Sequence, residues 1–279
     1  MLAGRVAFLG PEGTFSHILA KKRFPDAKQF ISCEDISDVF QFALSNTDSV
    51  GLTPVENSSG GPIYDTLDLL GRNVGYLFVV EELTLNVNLA LLGHSLENVQ
   101  YIYSHFAPLE HHKEWLLKKF PTAKLHPVAS TAKAAKLAAE ISNSVALASP
   151  SAAQIYGLKV LEFPLTTDIL NETRFYLIHS QPLWPSEDAI QTKTALFFRL
   201  RNEVGSLHAF LGPFRDAGIN LRMIVSRPIP GQPQTYRFFV EVDGVANQNP
   251  LASTLPLARQ HTESLDFLGS FPCFQKFSA

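Results

Sequence analysis

Apolar positions along the chain switch between short runs and helical spacing in a regular order. Val6–Leu9 is an apolar run stopped by Gly10-Pro11, which predicts a buried strand. Thr14–Phe24 predicts a helix with a hydroxyl at its start. Asp35–Leu44 predicts another, with Ile36, Val39, Phe40 and Ala43 on one face. Val50–Val55 reads as a strand broken by Pro54. Pro62–Leu70 reads as a helix with Pro62 near its first position, where a missing N–H costs nothing. Leu77–Glu81 and Leu83–Leu92 are extended runs. Strand Val99–Ser104, helix Leu109–Phe120, strand Leu125–Val128 and helix Thr131–Ile141 follow, the last with Ser130 as a cap. Strand Val145–Ala148, helix Pro150–Tyr156 and strand Arg174–His179 complete this part.

Strand then helix, repeated, predicts mostly parallel sheets with helices on their faces. The strands are too many for one small sheet. Two α/β lobes with a cleft between them are expected, crossed at Leu77–Leu92 and Leu158–Asp168. Residues 181–188 then read as a linker, with Pro182 and Pro185. After it the pattern restarts: strand Thr194–Leu200, helix Ser206–Ala217, strand Leu221–Ser226, a Pro/Gly loop Pro228–Gln234, strand Tyr236–Val242, helix Pro250–His261, strand Leu265–Phe271. That order, βαββαβ, is the ferredoxin-like plan.

Composition narrows the class. The chain has 279 residues, 46% apolar and 18% charged, which fits a globular protein with a full core and excludes disorder. Two Cys, Cys33 and Cys273, exclude a disulfide scaffold. Residues 1–191 hold 14 Lys and Arg against 20 Asp and Glu; residues 192–279 hold 9 against 6. No basic stripe results, so nucleic acid is not an expected partner. No apolar run approaches the roughly 18 residues of a membrane span, and the opening run is too short for a secretory signal. A cytoplasmic location is expected.

Ligands of such sheets sit beyond the carboxyl ends of the strands, where helix N-termini favour anions. Five strand ends here deliver small polar residues: Thr14 and Ser16 after the first, Glu56, Asn57 and Ser58 after Val50–Thr53, Ser104, Ser130, and Ser149. Plain N-capping accounts for a Ser or Thr at most of these places. The Gly-rich runs Gly10–Ser16 and Glu56–Gly61 exceed what capping needs and suggest backbone close to a ligand. Arg174 lies in the polar stretch Asn171-Glu172-Thr173-Arg174-Phe175. It either forks onto a ligand carboxylate or pairs with Glu172 or another acid. The nine His lack metal-ligand spacing, so no metal is expected.

Taken in order, these motifs resemble the prephenate dehydratase family with its C-terminal ACT regulatory domain. Gly10-Pro11-Glu12-Gly13-Thr14-Phe15-Ser16, Pro54-Val55-Glu56-Asn57-Ser58 and Asn171-Glu172-Thr173-Arg174-Phe175 carry the resemblance to the catalytic part. Gly218-Ile219-Asn220-Leu221 and Ser226-Arg227-Pro228 carry it to the ACT part. The resemblance implies an α/β fold: a two-lobed, periplasmic-binding-protein-like catalytic domain over residues 1–182 and a ferredoxin-like ACT domain over 192–279. It implies no cofactor, a homodimer or homotetramer, and phenylalanine as effector. Two positions depart from the family pattern: Val225 stands where the ACT motif has Glu, and Ser206 where it has Ala.

The implied reaction converts prephenate to phenylpyruvate, CO2 and water in phenylalanine biosynthesis. The resemblance assigns Thr173 as hydrogen-bond donor to the departing hydroxyl, with Arg174 and Asn171 beside it. It implies a substrate wall of Thr14, Phe15, Ser16, Glu56, Asn57, Ser58, Ser104 and Phe175, and an effector site of Gly205, Leu207, Asn220 and Arg227 between ACT modules. Arogenate dehydratase chemistry and a non-catalytic amino-acid sensor remain alternatives at this point.

Overall fold

The computed structural model describes residues 4–165, 171–186, 188–229, 231–273 and 275–279. The chain opens with β1 (Arg5–Leu9), α1 (Phe15–Arg23), β2 (Gln29–Cys33), α2 (Ile36–Ser45), β3 (Ser49–Asn57), the two-residue β4 (Gly61–Pro62), α3 (Tyr64–Arg72) and β5 (Phe78–Asn86). It then builds β6 (Ala90–Gly93), β7 (Tyr101–Ser104), α4 (Phe106–His111), α5 (Lys113–Lys119), β8 (Lys124–Pro127), α6 (Thr131–Glu140), β9 (Ser144–Ala148), α7 (Pro150–Tyr156) and β10 (Lys159–Glu162). β11 (Glu172–His179) returns to the first sheet. The remainder is β12 (Thr192–Arg199), α8 (Ser206–Asp216), β13 (Leu221–Pro228), β14 (Tyr236–Asp243), α9 (Leu251–Arg259), β15 (Ser264–Pro272) and β16 (Gln275–Ser278).

Three sheets result, with strand orders β16-β5-β11-β3-β1-β2, β10-β6-β9-β7-β8 and β13-β14-β12-β15. The two α/β lobes and the ferredoxin-like third unit match expectation. The sheets are mixed rather than mostly parallel: β11 runs antiparallel to both β3 and β5, and β6 and β10 are antiparallel too. The expected crossings shrink accordingly, because Leu77–Leu92 supplies β5 to one lobe and β6 to the other. Of the second crossing, Leu158–Leu165 is described, carrying β10, and residues 166–168 lie outside the described residues.

Pro54 does not break its strand. It lies beyond the end of β1 and opposite Phe175, where the β3–β11 ladder shifts register, so its missing N–H interrupts little. Pro62 belongs to β4 rather than to the first turn of α3. The expected Leu109–Phe120 helix is two helices meeting at His112.

Two apolar layers cover the first sheet. On one side α1 packs Leu19, Ala20 and Phe24 against Val6, Phe8, Leu83 and Phe175. On the other, Phe40 of α2 and Leu67 and Leu70 of α3 share one core with Phe197, Met223, Phe239, Leu268 and Phe271 of the third sheet. The third unit is therefore not hung on a free linker. Its strand face is buried on the catalytic lobe, and β16 continues into the first sheet, parallel to β5. Among the described residues no helix is long and apolar enough to cross a membrane.

Candidate active site at the strand ends of the first sheet

β1 and β3 run parallel, so Leu9 and Asn57 finish at the same edge of the sheet. β11 runs the other way and begins there, with Thr173 opposite Asn57 and Leu85. The chain crosses to the second lobe at this edge: Val87 donates to the Asn171 carbonyl at 2.8 Å, and Leu165 to the Leu89 carbonyl at 2.9 Å. Topology alone thus gathers the opening motif, Asn57-Ser58 and Asn171–Thr173 beside the double crossing.

Asn57 is the centre of the arrangement. Its Oδ1 accepts from the backbone N–H of Ser59 at 3.0 Å and Gly60 at 2.9 Å, which fixes the amide's orientation. Its Nδ2 must then point the other way. It donates to Asn171 Oδ1 at 2.9 Å, to Thr173 Oγ1 at 3.0 Å and to the Glu172 carbonyl at 3.3 Å. Thr173 Oγ1 is an acceptor in this contact, so its own O–H remains able to donate elsewhere. Ser58 locks the same turn: its N–H donates to the Glu172 carbonyl at 2.8 Å, and its Oγ accepts from Glu172 N–H at 2.9 Å.

The opening motif makes a different contact. Thr14 caps α1: its hydroxyl accepts from His17 N–H at 3.3 Å and donates to the Leu9 carbonyl at 3.0 Å. That donor is spent, so Thr14 does not offer a hydroxyl proton to a carboxylate. Ser16 is buried in the first turn, and Phe15 packs against the apolar layer under α1. Gly13, at φ +88°, packs against α7 of the other lobe, where an added Cβ would meet Ile155 at 3.3 Å and Tyr156 at 3.5 Å. Ser149 Oγ donates to the Gly13 carbonyl at 3.0 Å, and Tyr156 Oη to the Glu12 carbonyl at 2.9 Å. These lobe-to-lobe contacts were not foreseen. Ser149 at a strand end was the one hint.

Four expected site residues face away from this edge. Ser104 is fully buried and donates to the Leu147 carbonyl at 2.7 Å. Phe175 is 2% exposed in the core beneath α1. Arg174 alternates with Thr173 to the opposite face of β11. There it donates through Nη1 to Glu56 at 2.7 Å and through Nη2 to Glu82 at 2.6 Å and to Glu241. Glu56 is thereby engaged as well. Tyr176 also donates to Glu241, and Lys193 bridges Glu82 at 2.8 Å and Glu241 at 3.3 Å. Burial pushes the Glu241 carboxyl up, but Arg174 and Lys193 outweigh it and leave it below the usual carboxylate range. Pairing Arg174 with acids was one of its two expected readings. The partners come from three strands, where sequence offered only isolated charges inside apolar runs.

In the third unit, Gly205 caps α8 with φ +85°, and Leu207 and Asn220 are exposed. Gly205 and Asn220 lie at opposite ends of α8, about 16 Å apart at 1.5 Å per residue. One chain does not bring them together. Arg227 is turned to α3, paired with Asp68 through Nε at 2.9 Å and Nη2 at 2.6 Å and stacked over Tyr64 at 4.3 Å. Val225 packs against the core shared with the catalytic lobe.

Comparison with known proteins agrees with this architecture. The family model for prephenate dehydratase matches residues 6–183, and that for the ACT domain matches residues 194–255. A bifunctional chorismate mutase/prephenate dehydratase of Aquifex aeolicus is 34% identical over 270 residues, covering 96% of this chain and 73% of the relative. Prephenate dehydratase of Arthrobacter aurescens, solved in complex with L-Phe, superposes with a TM-score of 0.85 at 26% identity, covering 96% of this chain and 89% of that one. A structure described as GqqA, a novel type of quorum quenching acylases, superposes with a TM-score of 0.86 at 26% identity, covering 97% and 98%.

Proposed function

The chain belongs to the prephenate dehydratase family, and from that premise we propose that Thr173 is the hydrogen-bond donor to the departing hydroxyl of prephenate. The activity is that of a lyase. The bond from the ring to its carboxylate breaks, and the electron pair moves into the ring. The C–O bond to the ring hydroxyl then breaks, and hydroxide leaves as water once it takes a proton. Aromatisation drives the sequence, so the protein's task is to hold the dianion and stabilise the departing oxygen.

One observation carries the assignment: the Asn57 amide donates to Thr173 Oγ1 at 3.0 Å. An oxygen that accepts there keeps its O–H for the substrate. Asn57, Ser58 and Asn171 form the rigid support of that hydroxyl, and the first-turn N–H groups of α1, at Phe15 and Ser16, suit a carboxylate. The same contact argues against Thr173 as the nucleophile of an acylase, the printed description of one structural neighbour. An acylase nucleophile needs a base beside its hydroxyl; an amide N–H cannot take a proton.

Steady-state formation of phenylpyruvate from prephenate tests the role. Thr173→Ala is expected to lower kcat by about 10²–10³, and Thr173→Ser to retain most of it. An Ala variant with wild-type kcat overturns the assignment. Arogenate, run in parallel, separates the amino analogue from prephenate.

The ACT domain supports an amino-acid effector, and the separation of Gly205 from Asn220 supports a site shared by two copies in a homodimer or homotetramer. With Arg227 held by Asp68 and Val225 in the core, the α8 N-terminus is the remaining anion-binding element. Calorimetric titration with phenylalanine checks this. Phenylalanine bound by a monomeric species, as sized by light scattering, removes the shared site. A cytoplasmic location fits the reaction's place in biosynthesis and is checked by fractionation.

A further inference from the structure

We infer that Glu241 and Lys193, both of the C-terminal unit, are positioning residues for the reaction at Thr173. The inference rests on the reading of Thr173 given above. Successive residues of β11 serve two different ends. Asn171 and Thr173 join Asn57 at the strand edge. The residues between and after them are held by the C-terminal third of the chain: Glu172 by Lys276 at 3.0 Å, and Arg174 and Tyr176 by Glu241.

Arg174 is the link between the two. Its Nη1 holds Glu56, the neighbour of Asn57, while its own backbone follows Thr173. One guanidinium therefore fixes the two strands that carry the Asn57–Thr173 contact. Glu241 and Lys193 complete its surroundings from across the interface: Glu241 takes Nη2, and Lys193 neutralises Glu82 and Glu241 together. Remove them, and Arg174 keeps only Glu56 and a Glu82 that Lys193 no longer holds, so the guanidinium's direction is less tightly fixed. A displacement of about 1 Å at a reacting group costs on the order of 10²-fold in rate. Both residues are buried on the face of β11 opposite Thr173, so the effect is expected in kcat and not in KM.

Glu241→Gln suits the test because it keeps volume and leaves two carboxylates against two cations. Its amide N–H₂, however, cannot accept from Arg174, Tyr176 and Lys193 as both carboxylate oxygens do. With prephenate as substrate, kcat is expected to fall by about 10-fold or more with KM changed by less than about 3-fold. Tyr176→Phe, which removes one donor to Glu241 and keeps the ring, is the second variant should Gln prevent folding; an intermediate loss of kcat is expected. Circular dichroism and the melting transition identify folded protein. A folded Glu241→Gln or Tyr176→Phe with wild-type kcat overturns the inference, as does a loss confined to KM. Thr173→Ala in the same assay keeps the two readings apart. If it loses activity while the Glu241 and Tyr176 variants do not, this inference alone falls; if it keeps activity, both fall.

Discussion

The two faces of β11 differ in kind. At one, Thr173 meets the neutral amide of Asn57, which also donates to the Asn171 amide and accepts from two backbone N–H groups. At the other, a single residue away, Arg174 enters a buried cluster of Glu56, Glu82, Glu241 and Lys193. With Thr173 as proposed donor, a dianionic substrate at the first face meets fixed dipoles and a hydroxyl whose proton the Asn57 contact does not use. Charge is concentrated on the second face, where it joins two units of the chain. Reading Arg174 as a ligand for substrate carboxylate because it follows Thr173 ignores the period of the strand: neighbours in sequence are on opposite sides.

The sharpest way to break this contrast is to put a charge on the neutral face. Asn57→Asp keeps shape but replaces the N–H₂ with an acceptor, which draws the Thr173 hydroxyl proton toward itself. The donor is then spent, and kcat is expected to fall by about 10²–10³, the size of losing one oxyanion donor. Phenylpyruvate formation by a variant with a wild-type circular dichroism spectrum checks it. Retained kcat would mean that the neutrality of this face is incidental.

An effect of comparable size, on stability instead of rate, is expected from the apolar ground under the charged face. Phe271 is fully buried in the core shared by α2, α3 and the third sheet. Phe271→Ala is expected to cost about 3–5 kcal/mol of stability, measured by denaturant unfolding followed by fluorescence. A separate, early transition for the third unit, with the catalytic lobe unaffected, would show the two faces to be independent bodies.

The smallest effect sharpens the contrast by pH. His17 and His112 have pKa values lowered by burial, so the folded protein keeps them neutral below the ordinary 6.5. The unfolded chain takes up protons there first, so their stabilising contribution is present above 6.5 and lost as pH falls. Glu241 and Asp68 are held below the usual carboxylate range, and their contribution declines only as pH approaches and passes below about 4. The melting temperature is therefore expected to drop modestly from pH 7.5 to 5.5 and more steeply below 4.5. A flat profile down to 5.5 would remove the histidine part.

The sequence made the interior elements legible and the margins less so. Thr14 and Ser130 cap the helices expected of them. Of the strands it did not reveal, β2, β10 and β16 each end a sheet, and the two-residue β4 pairs only with β3. A marginal strand has one neighbour and is less covered, so Gln29–Cys33, Lys159–Glu162 and Gln275–Ser278 lack the apolar runs of central strands. At the site, motif order located Asn57 and Thr173 but could not say where Ser104 or Arg174 points. Ser104 turns inward to a carbonyl of β9, a matter of strand pairing. Arg174's partners Glu56, Glu82 and Glu241 were visible as charges within apolar strands, yet nothing local said that three strands from two units would converge on it.

The pairing of β16 with β5, in which Gln275 lies opposite Leu83, also bears on how the protein is made. A ribosome delivers β5 long before β16, at roughly 5–20 residues per second. For that interval β5 has a bare edge, with Leu83 and Leu85 beside it, open to pairing with other chains. A message cut short before Gln275 yields a protein with its dehydratase motifs intact and this edge uncovered. Covering that edge with a segment made after both lobes and after β12–β15 makes completion of the first sheet wait on the third unit.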